Sequence, residues 1–363
     1  MSVTTPSTTP GKEKRQGSAS KVHELTRALL TQRVLLVAIL LVIVVIVMRV
    51  LDGLGLMQGS FDSDYMAASL ISAVPLAMLG LAQLIVIVSG RGAIDLSVGS
   101  MVSLVSMIFG FTYGLWGVPL IPSLIIAILA GGALGAINGV LIAYVGFPAL
   151  IATLATYYAY ASLAIVINKQ QPINSPKIQD FYSTAQSVEI PLIGAQLPNI
   201  PFGIVLFLIP TVVVVWYLMN RSPYGRRLYA MGTNDIAADW AGINVAWVRI
   251  RAYIFSGMIS GLVAVVTVGQ FASARPDAGN AGNGMALPAI TIAVLGGVAI
   301  TGGIGRVSGV VLATLLIVWL NAGILLLFQG NLGTQLQLLA LGVVLVFAAL
   351  LNGYTNRRFG VMT

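Results

Sequence analysis

Long apolar runs alternate with short polar stretches along almost the whole chain. The runs lie at about Val34–Val50, Ala67–Val88, Leu96–Trp116, Leu120–Tyr144, Ala149–Ile167, Phe202–Met219, Ala252–Phe271, Met285–Ile300, Val310–Phe328 and Leu332–Leu351. A helix of about 20 apolar residues rises about 30 Å, the thickness of a bilayer's hydrocarbon core. The pattern therefore predicts an all-α polytopic membrane protein with about ten transmembrane helices. Pro75 and Gln83 interrupt the second run, and Gly131, Gly132, Gly135 and Gly139 mark the fourth as a helix that approaches a neighbour closely. The eighth run is short, with Pro288 near its start and Gly296–Gly297 near its end.

One polar island breaks the pattern. Arg221–Arg251 separates the sixth and seventh runs and is polar and basic on balance. It contains a predicted short helix. Asn234 is an N-cap whose side-chain oxygen can accept a free backbone N–H, and Asp235 stands at the positive end of the helix dipole. Residues Ile236 to Ala241 continue the helix, and Gly242 suits the left-handed position after it. A bare connection needs only a few residues. The island therefore reads as a cytoplasmic docking surface, the plainer reading being a solvated loop between two spans.

Charge sets the expected orientation. Cytoplasmic segments carry an excess of Lys and Arg. With ten spans and an inside N-terminus, only Arg49, Lys169, Lys177 and Arg275 of the 19 basic residues fall outside or at the outer edge. Both termini and the island are then cytoplasmic, and 168–200 is the extracytoplasmic loop, with a possible short strand near Ser187–Ile193. The expected organisation is a disordered or amphipathic tail over 1–33, a membrane domain over 34–352 containing the loop at 220–251, and a cytoplasmic tail over 353–363. If the eighth run were re-entrant, Arg306 and the Arg357–Arg358 pair would move outside, against the charge rule.

Composition confirms the class and narrows the chemistry. The chain is 58% hydrophobic and 8% charged, where soluble proteins carry roughly 25% charged residues. Cysteine is absent and the one histidine, His23, lies in the N-terminal tail, which removes thiolate chemistry and His- or Cys-based metal sites. The formal charge of +8 belongs with cytoplasmic loops and membrane lipid, not nucleic acid. No catalytic constellation is present and no cofactor is expected. The Gly302–Gly309 stretch lacks the lysine of a phosphate-binding loop and reads as a tight turn.

Intramembrane acids are the usual mark of ion coupling. Asp95 alone comes near membrane depth, with Arg91 four residues earlier as its expected partner. Asp95 either joins Arg91 in shaping a broken segment beside a pathway or caps the third span. Gln83, Asp95, Asn138 and Asn321, with Thr153 and Thr156, are candidates to line a path for a hydroxylated solute. The plainer reading is that such residues bond between helices.

Three motifs then stand in order: GRGAIDLSVGS from Gly90, YGRRLYAMGTNDIAADWAGINV from Tyr224, and LGGVAITGGIGRVSG from Leu295. Together they resemble the permease subunits of bacterial ABC sugar importers, the subgroup with the ribose, xylose, galactose and autoinducer-2 permeases. Arg91 and Ala93 depart from that family's usual GGIDLSVG. The resemblance implies a homodimer or a pair with a sister permease. It also implies a separate cytoplasmic ABC ATPase and an extracytoplasmic sugar-binding protein. The docking element falls on Asn234–Gly242, with Asn234, Asp235, Ala237, Ala238 and Gly242 as its named residues, flanked by Gly225, Arg226 and Tyr229. The alternatives are an ion-coupled secondary transporter, which needs an essential deep carboxylate, and a membrane enzyme or scaffold, which needs a polar cluster.

Overall fold

The computed structural model describes residues 33–185, 201–281 and 284–359. The expected N-terminal tail before Arg33 and the possible strand near Ser187–Ile193 lie outside the described residues. Every regular element described is a helix: α1 (Arg33–Gly53), α2 (Ser63–Val88), α3 (Val98–Phe109), α4 (Leu120–Ala143), α5 (Ala149–Val166), α6 (Pro176–Ala185), α7 (Ile209–Asn220), α8 (Pro223–Thr233), α9 (Asp235–Trp240), α10 (Val245–Phe271), α11 (Ala286–Leu295), α12 (Val307–Leu327) and α13 (Gly330–Phe359). π-helical turns extend α3 over Gly110–Leu115 and precede α7 over Ile204–Leu208.

Eight of these helices are long and apolar enough to cross a membrane, and the segment Ile204–Asn220, bent by 66° from α8, makes a ninth. The exception is the eighth apolar run. Only Ala286–Leu295 is helical there, ten residues, a rise of about 15 Å and half the hydrocarbon core. The Gly296–Gly297 pair ends it, with Gly297 at φ +93°.

The chain still crosses in this region. At one end of the bundle the Gly303 N–H donates to the Val88 carbonyl (3.0 Å) and the Tyr229 hydroxyl to the Gly305 carbonyl (2.7 Å). At the opposite end Ile173 and Ala274 exchange backbone hydrogen bonds (2.8 and 3.0 Å), and the Gln58 N–H donates to the Leu326 carbonyl (2.9 Å). Between Ala274 and Gly302 the chain therefore travels from one end to the other, first as an irregular segment and then as α11. The irregular segment is held inside the bundle. The Gly279 N–H donates to Ser103 Oγ (3.0 Å), and Ser106 Oγ donates to the Arg275 carbonyl (2.8 Å). Backbone without helical bonds survives at membrane depth only where protein satisfies it. Arg306 thus stays at the same end as the island, and the re-entrant alternative is excluded.

The centre is built from α2, α3 and α10, which are the most enclosed spans, while α1 and α13 lie at the periphery. Leu81, Leu84 and Val88 of α2 share one core with Ile292 of α11 and Val310 and Ile317 of α12. Val98, Met101, Val105 and Phe109 of α3 share another with Val263 and Val266 of α10. The glycines of α4 act as their spacing predicts: a Cβ on Gly131 or Gly135 would overlap the carbonyl oxygens of Gly257 and Tyr253 in α10. Small residues let these backbones touch, which is how helices associate where lipid offers no hydrophobic drive. The outer faces of α1, α4, α5, α7 and α13 expose large apolar side chains such as Val42, Leu129, Leu150, Val214 and Val343.

Two boundaries differ from expectation. The seventh span starts at Val245, not near Ala252, because the Asn244 side chain caps it by accepting the Trp247 N–H (2.9 Å). The last helix continues to Phe359, so the expected C-terminal tail from 353 is largely an extension of α13.

Candidate functional site

The island holds two helices, not one. Ser222 caps α8 by accepting the Gly225 N–H (3.0 Å), with Pro223 in the first turn, where its fixed φ and missing N–H cost nothing. The α9 helix follows at once. Asn234 Oδ1 accepts the Ala237 N–H (2.9 Å), and Gly242 takes φ +81° beyond the last turn, both as the sequence predicts.

Of the residues expected to dock a partner, Arg226, Asn234, Ala237 and Gly242 face solvent. The others point inward. Ala238 is buried in the core, Gly225 lies against the carbonyls at the end of α7, and Tyr229 reaches Gly305. The Asp235 carboxylate pairs with Arg91 and stands 3.8 Å from Arg249 Nη2. The outward apolar face of α9 belongs to two residues inside the expected element but not among its named contacts: Trp240 is 88% exposed and Ile236 64% exposed. The signal for them was present. With Asp235 and Ala238 on one face of a helix, Ile236 and Trp240 fall on the other.

Arg91 is therefore not the partner of Asp95. Gly90, Arg91 and Gly92 all take positive φ (+82°, +56° and +65°), which carries Arg91 to the exposed end of the bundle while the chain turns back to bury Asp95. This turn, the end of α8 and the turn after α11 meet. A Cβ on Gly232 would overlap the Val88 carbonyl oxygen and crowd Gly303, and Gly90 packs on Gly232 and Gly302. All three sequence motifs thus converge at one end.

A second cluster lies deeper. Asp95 is fully buried. Its Oδ1 accepts the Ser97 N–H (2.9 Å) and hydroxyl (2.6 Å), and its Oδ2 accepts from Ser256 Oγ of α10 (3.4 Å). The Gln83 side chain donates to the Asp95 carbonyl (2.5 Å) and accepts its N–H (3.3 Å). Asn138 Nδ2 donates to Ser97 Oγ (2.8 Å) and lies 3.5 Å from Asp95 Oδ1, while Asn138 Oδ1 accepts from Thr156 Oγ1 (2.7 Å). Thr153 Oγ1 reaches the Ile94 carbonyl (3.4 Å). This knot ties the break between α2 and α3 to α4, α5 and α10. Ser97, not Asp95, is the residue that precedes α3. Asn321 is not part of the cluster; its carbonyl accepts from Gln337 on α13 (3.0 Å).

Gln83, Asp95 and Asn138 have no exposed surface. Open space lies next to Leu96, the residue after Asp95, in a recess of about 180 Å³ lined also by Leu154, Tyr157, Asn280 and Met285.

The chain matches, over residues 65–349, the family described as the branched-chain amino acid transport system permease component. It belongs to that family of transporter permeases. Among curated proteins the permease is similar to the autoinducer 2 import system permease protein of Yersinia enterocolitica, 32% identical over 74% of this chain and 76% of that one. It is similar to the ribose import permease protein of Escherichia coli K12, 30% identical over 74% of this chain and 79% of that one. The D-allose transport system permease protein of the same strain is 32% identical over 71% of this chain and 74% of its own. No solved structure matches. The permease is thus a multi-pass membrane subunit of an importer, and its matched region includes both the motif junction and the polar knot.

Proposed function

We propose that this permease forms the membrane pathway of an ABC importer for a monosaccharide or similar polyhydroxylated solute in the bacterial cytoplasmic membrane. Its island end and both termini face the cytoplasm, as the distribution of Lys and Arg argues. A separate ABC ATPase docks on α9, an extracytoplasmic binding protein delivers the solute, and a second copy or a sister permease completes the pathway. The observation that carries the reading is Trp240. A large aromatic that is 88% exposed, beside exposed Ile236, on a short helix anchored from behind by Asp235 and Ala238, is how a buried contact in a complex looks before the partner arrives.

The sugar specificity rests on the relatives named for ribose and D-allose import. The recess beside Tyr157 and Asn280 fits that class, since neutral sugars are held by aromatic faces and amide hydrogen bonds rather than by charge. Asp95, a carboxylate at membrane depth, favours one second reading, an ion-coupled secondary transporter.

Reconstituted vesicles separate the two. The permease with its ATPase and binding protein should accumulate labelled ribose only when ATP is supplied, and should not accumulate leucine. Uptake by the permease alone, driven by a proton or sodium gradient, would support the second reading.

A further inference from the structure

Between the α9 anchor and the polar knot, one face of α10 carries Arg249, Tyr253 and Ser256 at spacings of four and three, so they stack along the helix. Ser256 belongs to the knot through Asp95 Oδ2. Arg249 belongs to the anchor through Asp235. Tyr253 stands between them, fully buried, its ring packed with Val86 and Ala93. Its hydroxyl has no hydrogen-bond partner, and neither do Nε and Nη2 of buried Arg249. Tyr253 thus stands one helical turn from Arg249 and one turn from Ser256, which bonds the Asp95 carboxylate.

Orphaned buried polar groups are costly and rare in a packed interior. Here both orphans lie on the line joining a docking helix to the break that faces the solute recess. One rearrangement satisfies both. If α9 shifts and draws Asp235 away, an Arg249 N–H can donate to the Tyr253 hydroxyl oxygen, and the Tyr253 O–H can donate to the Asp95 carboxylate. The knot then loses or loosens its bond from Ser256, and the start of α3 is released.

We propose that Arg249 and Tyr253 are positioning residues of a two-state relay, which exchanges an Arg249–Asp235 pair for an Arg249–Tyr253–Asp95 chain and so passes movement of α9 to the α2–α3 break. Neither residue touches solute or partner. The relay rests on the importer reading for its direction of work, and not for its existence. A ligand shifts such an equilibrium only through its different affinity for the two states, and an ATPase seated on α9 meets that condition because Asp235 is the first residue of that helix.

The test is Tyr253→Phe, in the complete transporter and in the permease alone. The hydroxyl is unpaired in this state, so the variant permease should unfold at the wild-type temperature or slightly above and should bind the ATPase normally. Its solute uptake per ATP hydrolysed should fall about thirtyfold, the population shift expected for two lost net hydrogen bonds of about 1 kcal/mol each. An unchanged ratio overturns the relay. So does a fall in uptake that is matched by an equal fall in stability, since that is plain structural damage. Should the wild-type complex show no ATP-driven uptake, the importer reading fails and the relay is decided on the permease alone. There the unfolding shifts of Asp235→Asn, which frees Arg249 to turn to Tyr253, and of Tyr253→Phe are compared singly and together. Non-additive shifts uphold the connection between anchor and knot, and additive shifts overturn it.

Discussion

Arg91, on the left-handed turn after α2, pairs with Asp235, the first residue of the exposed helix α9. The pair joins two motifs that are far apart in sequence, and Arg249 approaches the same carboxylate from α10. Arg91 is 66% exposed and Arg249 7% exposed in their side chains, so the two cations are not equivalent. An exposed pair contributes about 0–1 kcal/mol, whereas removing one member of a buried pair costs about 3–5 kcal/mol.

Thermal unfolding of the detergent-solubilised permease should show this ranking. Arg91→Ala should lower the midpoint slightly. Asp235→Ala should lower it several-fold more, because it strands a buried guanidinium. The reverse order would place the weight of the anchor on the exposed arginine.

Gly232 and Gly242 make a second contrast. Both are island glycines, yet a Cβ at Gly232 overlaps the Val88 carbonyl oxygen while a Cβ at Gly242 meets nothing within 4 Å. Gly232→Ala should force the motif junction apart and sharply reduce the folded yield. Gly242→Ala should cost only the left-handed backbone strain, about 1–2 kcal/mol, and Gly242→Asn less. Size-exclusion profiles and melting curves of the three variants decide it; equal behaviour at the two sites would contradict the packing.

The knot predicts a graded series at Asp95. Asp95→Asn keeps an oxygen for the Ser97 N–H and should cost about 1 kcal/mol. Asp95→Leu removes every acceptor there and should cost more, about 1–3 kcal/mol for each buried donor left alone. If Asp95→Leu proves as stable as Asp95→Asn, the hydrogen bonds at 2.6 and 2.9 Å do not hold the break.

What could be read from the chain beforehand divides by range. The spans, the Asn234 cap, the Gly242 stop and the close α4–α10 contact are set by neighbours within a turn or two, or by composition, and so were legible. The ten-residue length of α11 was hidden because apolar residues continue past Gly296–Gly297. Helix α8 was overlooked although Ser222 and Pro223 announce it, since its Arg226–Arg227 pair reads as solvated loop. The pairing of Arg91 with Asp235 in place of Asp95 depends on three successive positive φ values, and the gathering of Gln83, Asp95 and Asn138 without Asn321 depends on how helices lie against one another. Neither leaves a trace in local spacing.

The central claim is that α9 is a docking helix whose outward face does the binding. The most direct measurement is a titration of the solubilised permease with its ABC ATPase, comparing wild type with Trp240→Ala. At 88% exposure the side chain contributes little to folding, and the melting temperature should not move. Affinity should fall about thirtyfold, the loss of a 2 kcal/mol hot spot. Wild-type affinity in the Trp240→Ala protein would contradict the account and move the interface away from α9.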